Sequence, residues 1–186
     1  MNPELLKLVE DLDHAVDADS LDMICTNVRS VLVDCMERYP NLLPEEFLIP
    51  SEGKYARRLL HKCPNDLYSI VIMVWDQAQG TTLHDHSGKW CVEGVYKGKV
   101  RVESYEMIEE TDQGHYDFRY QGDAVQGTGK AGALIPPFEY HILSNPYEEI
   151  AVTIHIYSGE MTSSHAFYPN DGGGYSRELK ELSYTT

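Results

Sequence analysis

The chain is 186 residues long and 42% hydrophobic, with 30 acidic against 15 basic residues and a formal net charge of −15. That length suits one domain with a full core. The charge disfavours a duplex-binding or anionic-membrane role, because phosphate contacts need Lys and Arg, and no apolar run reaches the roughly 18 residues of a spanning helix.

The opening Met1-Asn-Pro-Glu-Leu-Leu carries no basic n-region, so no signal peptide is expected. Leu5, Leu6, Val9 and Leu12 fit one face of a first helix. Ser20 is placed to cap a second, in which Ile24, Val28, Val31, Leu32, Cys35 and Met36 recur at helical spacing and Pro40 marks the stop. Pro44 starts a short turn. Cys25 and Cys35 fall on this second helix as small core hydrophobes. With Cys63 and Cys91 they form no C-x-x-C pair, so all four are expected as reduced thiols of a cytoplasmic protein.

From about Tyr55 the texture becomes strand-like. The run 67–75 is rich in β-branched and aromatic residues. Segments 90–96 and 99–105 flank Lys97-Gly98, which reads as a hairpin turn. Residues 109–114 read as loop, 118–120 as a short strand and the Gly-rich 122–132 as loops. The run 150–157 is a strand with Thr153, His155 and Tyr157 on one face and Val152, Ile154 and Ile156 on the other. Residues 169–175 form a turn and the remainder is expected to be irregular. The chain is therefore expected to be a single domain over 1–186, mainly β. A helical segment (1–50) caps a small barrel or sandwich (55–168), and a tail (169–186) follows.

The segment Gly80-Thr-Thr-Leu-His84-Asp-His86-Ser-Gly-Lys-Trp90-Cys91, taken with His141, is the chemical centre of the sequence. On a strand, His84 and His86 would point to the same face. His141 from a strand across the barrel would complete a three-nitrogen site with open positions. Imidazole suits iron, copper, nickel and zinc alike, so the spacing does not choose the metal. Glu93 and Glu139 are rival ligands, Glu93 because it shares strand parity with Cys91. His14, His61 and His115 read as surface residues, His165 as structural, and Trp75 and Trp90 as packing residues.

These residues resemble the two motifs of the cupin superfamily. The first is His84-x-His86, four residues, Cys91, six residues and Gly98, with Cys91 where a Glu is usual. The second is Pro136, His141 and Asn145, with Phe138 where a Gly is usual. The resemblance implies a jelly-roll-like cupin β-barrel. Without the Glu, three neutral imidazoles leave a ferrous ion its full +2 charge, which favours an anionic ligand such as a thiolate.

Within that superfamily, Tyr55-Ala-Arg57, His84-Asp-His86, Cys91, His141, the run 153–158 and His165-Ala-Phe167 resemble the cysteine dioxygenases. The resemblance implies Fe(II) held by His84, His86 and His141. It implies that Arg57 binds the substrate carboxylate, and that Tyr157 enters the site oriented by His155. It also implies that Cys91 is joined to Tyr157 by a thioether, as in the animal enzymes. A guanidinium fork suits a carboxylate; His155 shares a strand face with Tyr157, and Thr153 is placed to hold His155. The implied reaction brings a thiolate, and for cysteine also the amine, onto iron and passes both atoms of O2 to sulfur, giving a sulfinate.

Three departures bear on the substrate. Ser158-Gly159-Glu160 stands where the animal enzymes have Ser-Pro-Pro. The loop Gly88-Lys89-Trp90 looks more like the 3-mercaptopropionate branch. Arg58 adjoins Arg57, and on a strand only one of the two can face the site.

The leading reading is an oxidoreductase converting L-cysteine to cysteine sulfinate, with 3-mercaptopropionate or mercaptosuccinate as alternative substrates. A metal-dependent cupin isomerase or decarboxylase would expect the carboxylate that Cys91 replaces. A non-enzymatic metal-binding cupin sensor would not need Arg57, His155 and Tyr157 to converge. The expected partners are a small thiol and O2, with no nucleic acid or membrane, and the expected state is a monomer.

Overall fold

A computed structural model describes residues 2–111 and 114–185. Two helices open the chain, α1 (Pro3–Ala15) and α2 (Leu21–Arg38). Asn2 caps α1 by accepting from the Leu5 amide at 2.8 Å, and Ser20 caps α2 by accepting from the Met23 amide at 3.3 Å. The buried stripe of α1 is Leu5, Leu8, Leu12 and Ala15, whereas Leu6 is 56% exposed. The first helical face therefore includes Leu8 and excludes Leu6: 3.6-residue periodicity carries the stripe from Leu5 to Leu8 and Leu12. A 3-10 turn follows at Glu45–Leu48, just after Pro44.

Among the described residues, eleven antiparallel strands follow. One sheet has the order β1 (Ala56–Lys62), β2 (Ser69–Trp75), β9 (Ala151–Tyr157), β4 (Cys91–Lys97), β7 (Ala131–Leu134). The other closes on itself through β10 (Ser163–Pro169), β11 (Tyr175–Glu181), β6 (His115–Gly127), β5 (Lys99–Glu110), β8 (His141–Ser144) and β3 (Leu83–His84). The architecture is mainly β and jelly-roll-like, with the helices packed on the outside of the first sheet.

Strand parity explains how that sheet serves two cores. Ile70, Ile72 and Val74 of β2, Val92 of β4 and Val152, Ile154 and Ile156 of β9 pack under Leu8, Leu12, Val28 and Leu32 of the helices. The alternate residues Val71, Met73, Trp75, Cys91, Val95 and Tyr157 belong to a second cluster facing the other sheet. A strand covered on both faces reads as a continuous apolar run, which is why β2 is legible as Ser-Ile-Val-Ile-Met-Val-Trp. The polar residues Glu93, Thr153 and His155 share the inward parity and are carried into the interior.

Several sequence expectations are corrected. Lys97-Gly98 is not a hairpin turn, because β4 and β5 lie in different sheets and the chain turns a corner between them. Gly98 has φ +74°, and a Cβ there would stand 2.7 Å from the Ile150 carbonyl oxygen. Gly98→Ala is accordingly expected to cost at least about 2 kcal/mol, combining left-handed strain with a backbone clash, seen as a lowered thermal midpoint. Strand β5 runs on to Glu110, so part of the loop expected at 109–114 is strand; residues 112 and 113 lie outside the described residues. The short strand at 118–120 belongs to the 13-residue β6, which also takes in Gly122 to Gly127. Its partner β5 supplies the hydrogen bonds, with a register shift beside Gly122, so glycines there mark an irregularity in a ladder and not a loop. The tail is not irregular either: β11 pairs with both β10 and β6. His61 is half-buried beside Tyr68, at 5.8 Å between ring centroids, and not on the surface. Among the described residues no helix is long and apolar enough to cross a membrane.

Candidate functional site

Strand β3 ends at His84, and His86 follows in a turn where Ser87 and Gly88 have φ of +52° and +74°. His141 opens β8 and is the direct register partner of His84. The third histidine thus comes from the neighbouring strand and not from across the barrel, and His86 lies beyond the strand end. The three rings still converge, with centroids 4.6, 5.0 and 5.3 Å apart. One donor nitrogen from each lies within 4.8 Å of the others. Asp85, between the first two, faces away: its carboxylate accepts from the His165 amide at 2.8 Å and meets His165 Nδ1 at 2.8 Å. His165 thereby pins the turn that aims His84 and His86.

The donor set fits a divalent metal. His84 Nδ1 lies 3.0 Å from the Thr82 carbonyl, which can only accept, so the proton sits on Nδ1 and the Nε2 lone pair is free. That lone pair points at His141 Nε2, 3.2 Å away. Burial holds His84 below the usual histidine range, and holds His86 and His141 well below it, so all three rings are neutral and able to ligate. Glu139 is buried but lies outside this cluster, and Glu93 groups with Cys91 and His155 instead.

A cavity of about 160 Å³ opens beside the histidines, lined also by Tyr55, Arg57, Trp75, His155, Tyr157 and Lys180. A dry cavity of similar size can hold a benzene-sized molecule. Arg57 lines it from β1 and is only 4% exposed. Its Nη2 donates to the Met161 carbonyl at 2.7 Å, while Nε and Nη1 are buried without a partner. Arg58, of opposite parity, donates to the Ile49 carbonyl on the outside. The pair is therefore resolved: Arg57 enters the cavity and Arg58 does not.

On the inward face of β4 and β9, Cys91 stands opposite Tyr157 and Glu93 opposite His155. Both Cys91 and Tyr157 are buried, and burial raises the pKa of each well above its usual value. His155 does not hydrogen-bond the Tyr157 hydroxyl; their rings stack at 13° with centroids 5.9 Å apart. His155 Nε2 instead meets Thr153 Oγ1 at 2.8 Å, and that hydroxyl accepts from Trp75 Nε1 at 2.8 Å. Burial, then the nearby Arg57 charge, push the His155 pKa down to about 3, keeping the ring neutral.

The sequence reading missed contributions from the last strand and tail. The Tyr184 ring lies under the Arg57 guanidinium at 4.7 Å, and Thr185 exchanges hydrogen bonds with the Arg57 main chain. Lys180 and Leu182 also line the cavity. Trp75, expected only to pack, is also a donor in the Thr153 chain. The alternation of Lys180, Leu182 and Tyr184 was the available signal, and it was masked by the surrounding charged residues.

The model of the family described as "Cysteine dioxygenase type I" matches residues 13–170. The chain belongs to the cysteine dioxygenase type I family. Cysteine dioxygenase type 1 from Danio rerio is 23% identical over 176 residues, covering 92% of this chain and 83% of that protein. The Homo sapiens protein of the same name is 22% identical over 120 residues, covering 64% of this chain and 58% of that protein, so this match spans less than two thirds of the human relative. Among solved structures, TT1209 from Thermus thermophilus aligns with a TM-score of 0.48 at 15% identity, over 62% of this chain and 92% of that chain. A Cupin 2 conserved barrel domain protein from Salinispora arenicola aligns with a TM-score of 0.44 at 16% identity, over 62% of this chain and 83% of that chain. Cysteine dioxygenases are metalloenzymes that act on a thiol with O2, and the three-histidine cluster is one place in this member where a metal fits.

Proposed function

We propose that this chain is an iron(II)-dependent dioxygenase of a small mercapto-acid, with L-cysteine as the leading substrate and a sulfinate as product. The observation that carries the reading is Arg57, buried with two donor atoms unpartnered and lining the same small cavity as three neutral imidazoles. A buried guanidinium with two free donors calls for an anion, and the planar Nε/Nη1 edge matches a carboxylate. His84, His86 and His141 would hold the metal, and iron(II) would supply the activation of O2 and the transfer of both oxygen atoms to sulfur.

The protein's part is positioning. Arg57 fixes the carboxylate end of the substrate, and the Tyr184 ring and Met161 carbonyl hold the guanidinium in place. The three ligands bring no negative charge, so a thiolate is favoured over a neutral donor. Tyr157 lines the cavity, and Thr153 holds His155, whose ring stacks on Tyr157.

Cys91 directly opposite Tyr157 supports the thioether reading. Joining them removes two hydrogens, taken up by O2 during turnover. Intact-mass analysis should show a species about 2 Da light after turnover, and a peptide map in which Cys91 always alkylates freely would reject the cross-link.

The test of function is O2 uptake by the iron-loaded protein with cysteine, 3-mercaptopropionate, mercaptosuccinate and cysteamine. Cysteine is expected to be oxidised fastest, with sulfinate formed in step with O2 consumed. Greater activity with 3-mercaptopropionate would keep the reaction and remove the amine as a required ligand. No uptake with any thiol, despite a full complement of iron, would favour a sensor over an enzyme.

A further inference from the structure

Behind the histidine cluster lie buried polar atoms without hydrogen bonds. Glu93 Oε2 and His141 Nδ1 are both buried and unpartnered. The Glu93 side chain is 11% exposed and lies 3.8 Å from His141 Nδ1 and 3.4 Å from His155 Nδ1. These distances are just beyond hydrogen-bond reach. A buried carboxylate without donors is costly, so the nearest N–H groups are its natural partners.

The tautomers of both rings follow from their other contacts. Trp75 Nε1 can only donate, so Thr153 Oγ1 accepts from it, and the Thr153 hydroxyl proton is then free for His155 Nε2. With the Thr153 hydroxyl proton given to His155 Nε2, His155 carries its own proton on Nδ1, which lies 3.4 Å from Glu93 Oε2 and 4.0 Å from Cys91 Sγ. His141 turns Nε2 toward His84, so a metal bound at Nε2 leaves the His141 proton on Nδ1, which lies 3.8 Å from Glu93 Oε1. Two N–H groups thus lie within 4 Å of one carboxylate.

We propose that Glu93 is a positioning residue that accepts the Nδ1–H of both His141 and His155, fixing one metal ligand and tying it to the Trp75–Thr153–His155 chain. This rests on the three-histidine reading of the metal site. The rival is a second metal bound by Cys91, Glu93 and His155, whose donor atoms also lie within 4.8 Å of one another. The proton that Thr153 assigns to His155 Nδ1 stands against it.

The experiment uses cobalt(II) alone as the probe, titrated into the metal-free full chain and followed by its visible spectrum, with parent, Glu93→Leu, Glu93→Gln and His84→Ala compared. Glu93→Leu should weaken cobalt(II) binding roughly ten- to a hundredfold, as loss of a carboxylate behind a ligating histidine does. Glu93→Gln keeps a carbonyl acceptor and should lose less. The metal-free thermal midpoint reports on the fold: a merely structural role would lower it, and the cobalt(II) affinity with it, to the same extent in Glu93→Gln and Glu93→Leu, and that result would overturn the proposal. Equal affinity in parent and Glu93→Leu would overturn it while leaving the three-histidine reading intact. Two cobalt ions per chain, with a thiolate charge-transfer band lost in Cys91→Ser, would replace it with the second metal site. A parent that binds no cobalt, or a His84→Ala variant that binds it as tightly as the parent, would overturn the three-histidine reading and this inference with it.

Discussion

Arg57→Ala is expected to lower kcat/KM for cysteine at least tenfold. The substitution removes a charge-assisted bidentate contact of roughly 2–5 kcal/mol, much of it the cost of leaving the partner carboxylate unpaired. Two effects have to be separated. Arg57 also donates to the Met161 carbonyl and stacks on Tyr184, so truncation loosens the chain end that covers the cavity. Cysteamine has a thiol and an amine but no carboxylate, and it reports on the cavity without the ion pair. It should be a poor substrate of the parent, and its residual rate should change little in Arg57→Ala. Arg57→Lys restores the charge without the planar fork and should recover only part of the loss. A cysteamine rate above that of every mercapto-acid in the parent would overturn the carboxylate assignment.

Single replacements of His84, His86 or His141 by Ala should remove both iron and turnover. Each ring supplies one of three donors, and two neutral imidazoles without a third form a poor site for a divalent ion. Stability separates loss of metal from loss of fold. Metal that binds only the folded chain stabilises it by mass action, about 2.7 kcal/mol at a hundredfold excess over Kd. The parent should therefore gain thermal stability on adding iron(II) anaerobically, and each variant should not. His141 is fully enclosed, so its truncation should also lower the metal-free midpoint; His84, partly exposed at the cavity, should show the smaller effect. Full iron content in all three variants would refute the assignment, and density for Glu93 or Glu139 on the metal would revise the ligand set.

The helices and the doubly covered strands were legible because their signals are local. Ser20 before an apolar helical stripe, Pro40 after it, and the unbroken run into Trp75 each state their structure within one element. The alternation in β9 likewise placed Thr153, His155 and Tyr157 on one face before any partner strand was known. Strand β11, and β6 beyond residues 118–120, were not legible, because their residues are glycine-rich or charged and become strands only through hydrogen bonds to distant segments. Lys97-Gly98 shows the same limit. A turn dipeptide between two strands looks alike whether the strands pair with each other or leave for different sheets, and the close approach of the Ile150 carbonyl decided the outcome.

By itself the sequence determined the family and the chemical inventory. The spacing of His84 and His86, the later His141, and Arg57, Cys91 and Tyr157 at matching motif positions are properties of residue order. Tertiary structure decided which of these meet. It set His141 beside His84 in one ladder, turned Arg57 inward and Arg58 outward, folded the chain end over the guanidinium, and brought Glu93 behind two imidazoles. The physical reason is that a ligand set or an ion-binding edge is a matter of ångströms between side chains far apart in sequence. Those distances are fixed by strand register and sheet closure, which no single stretch of the chain encodes.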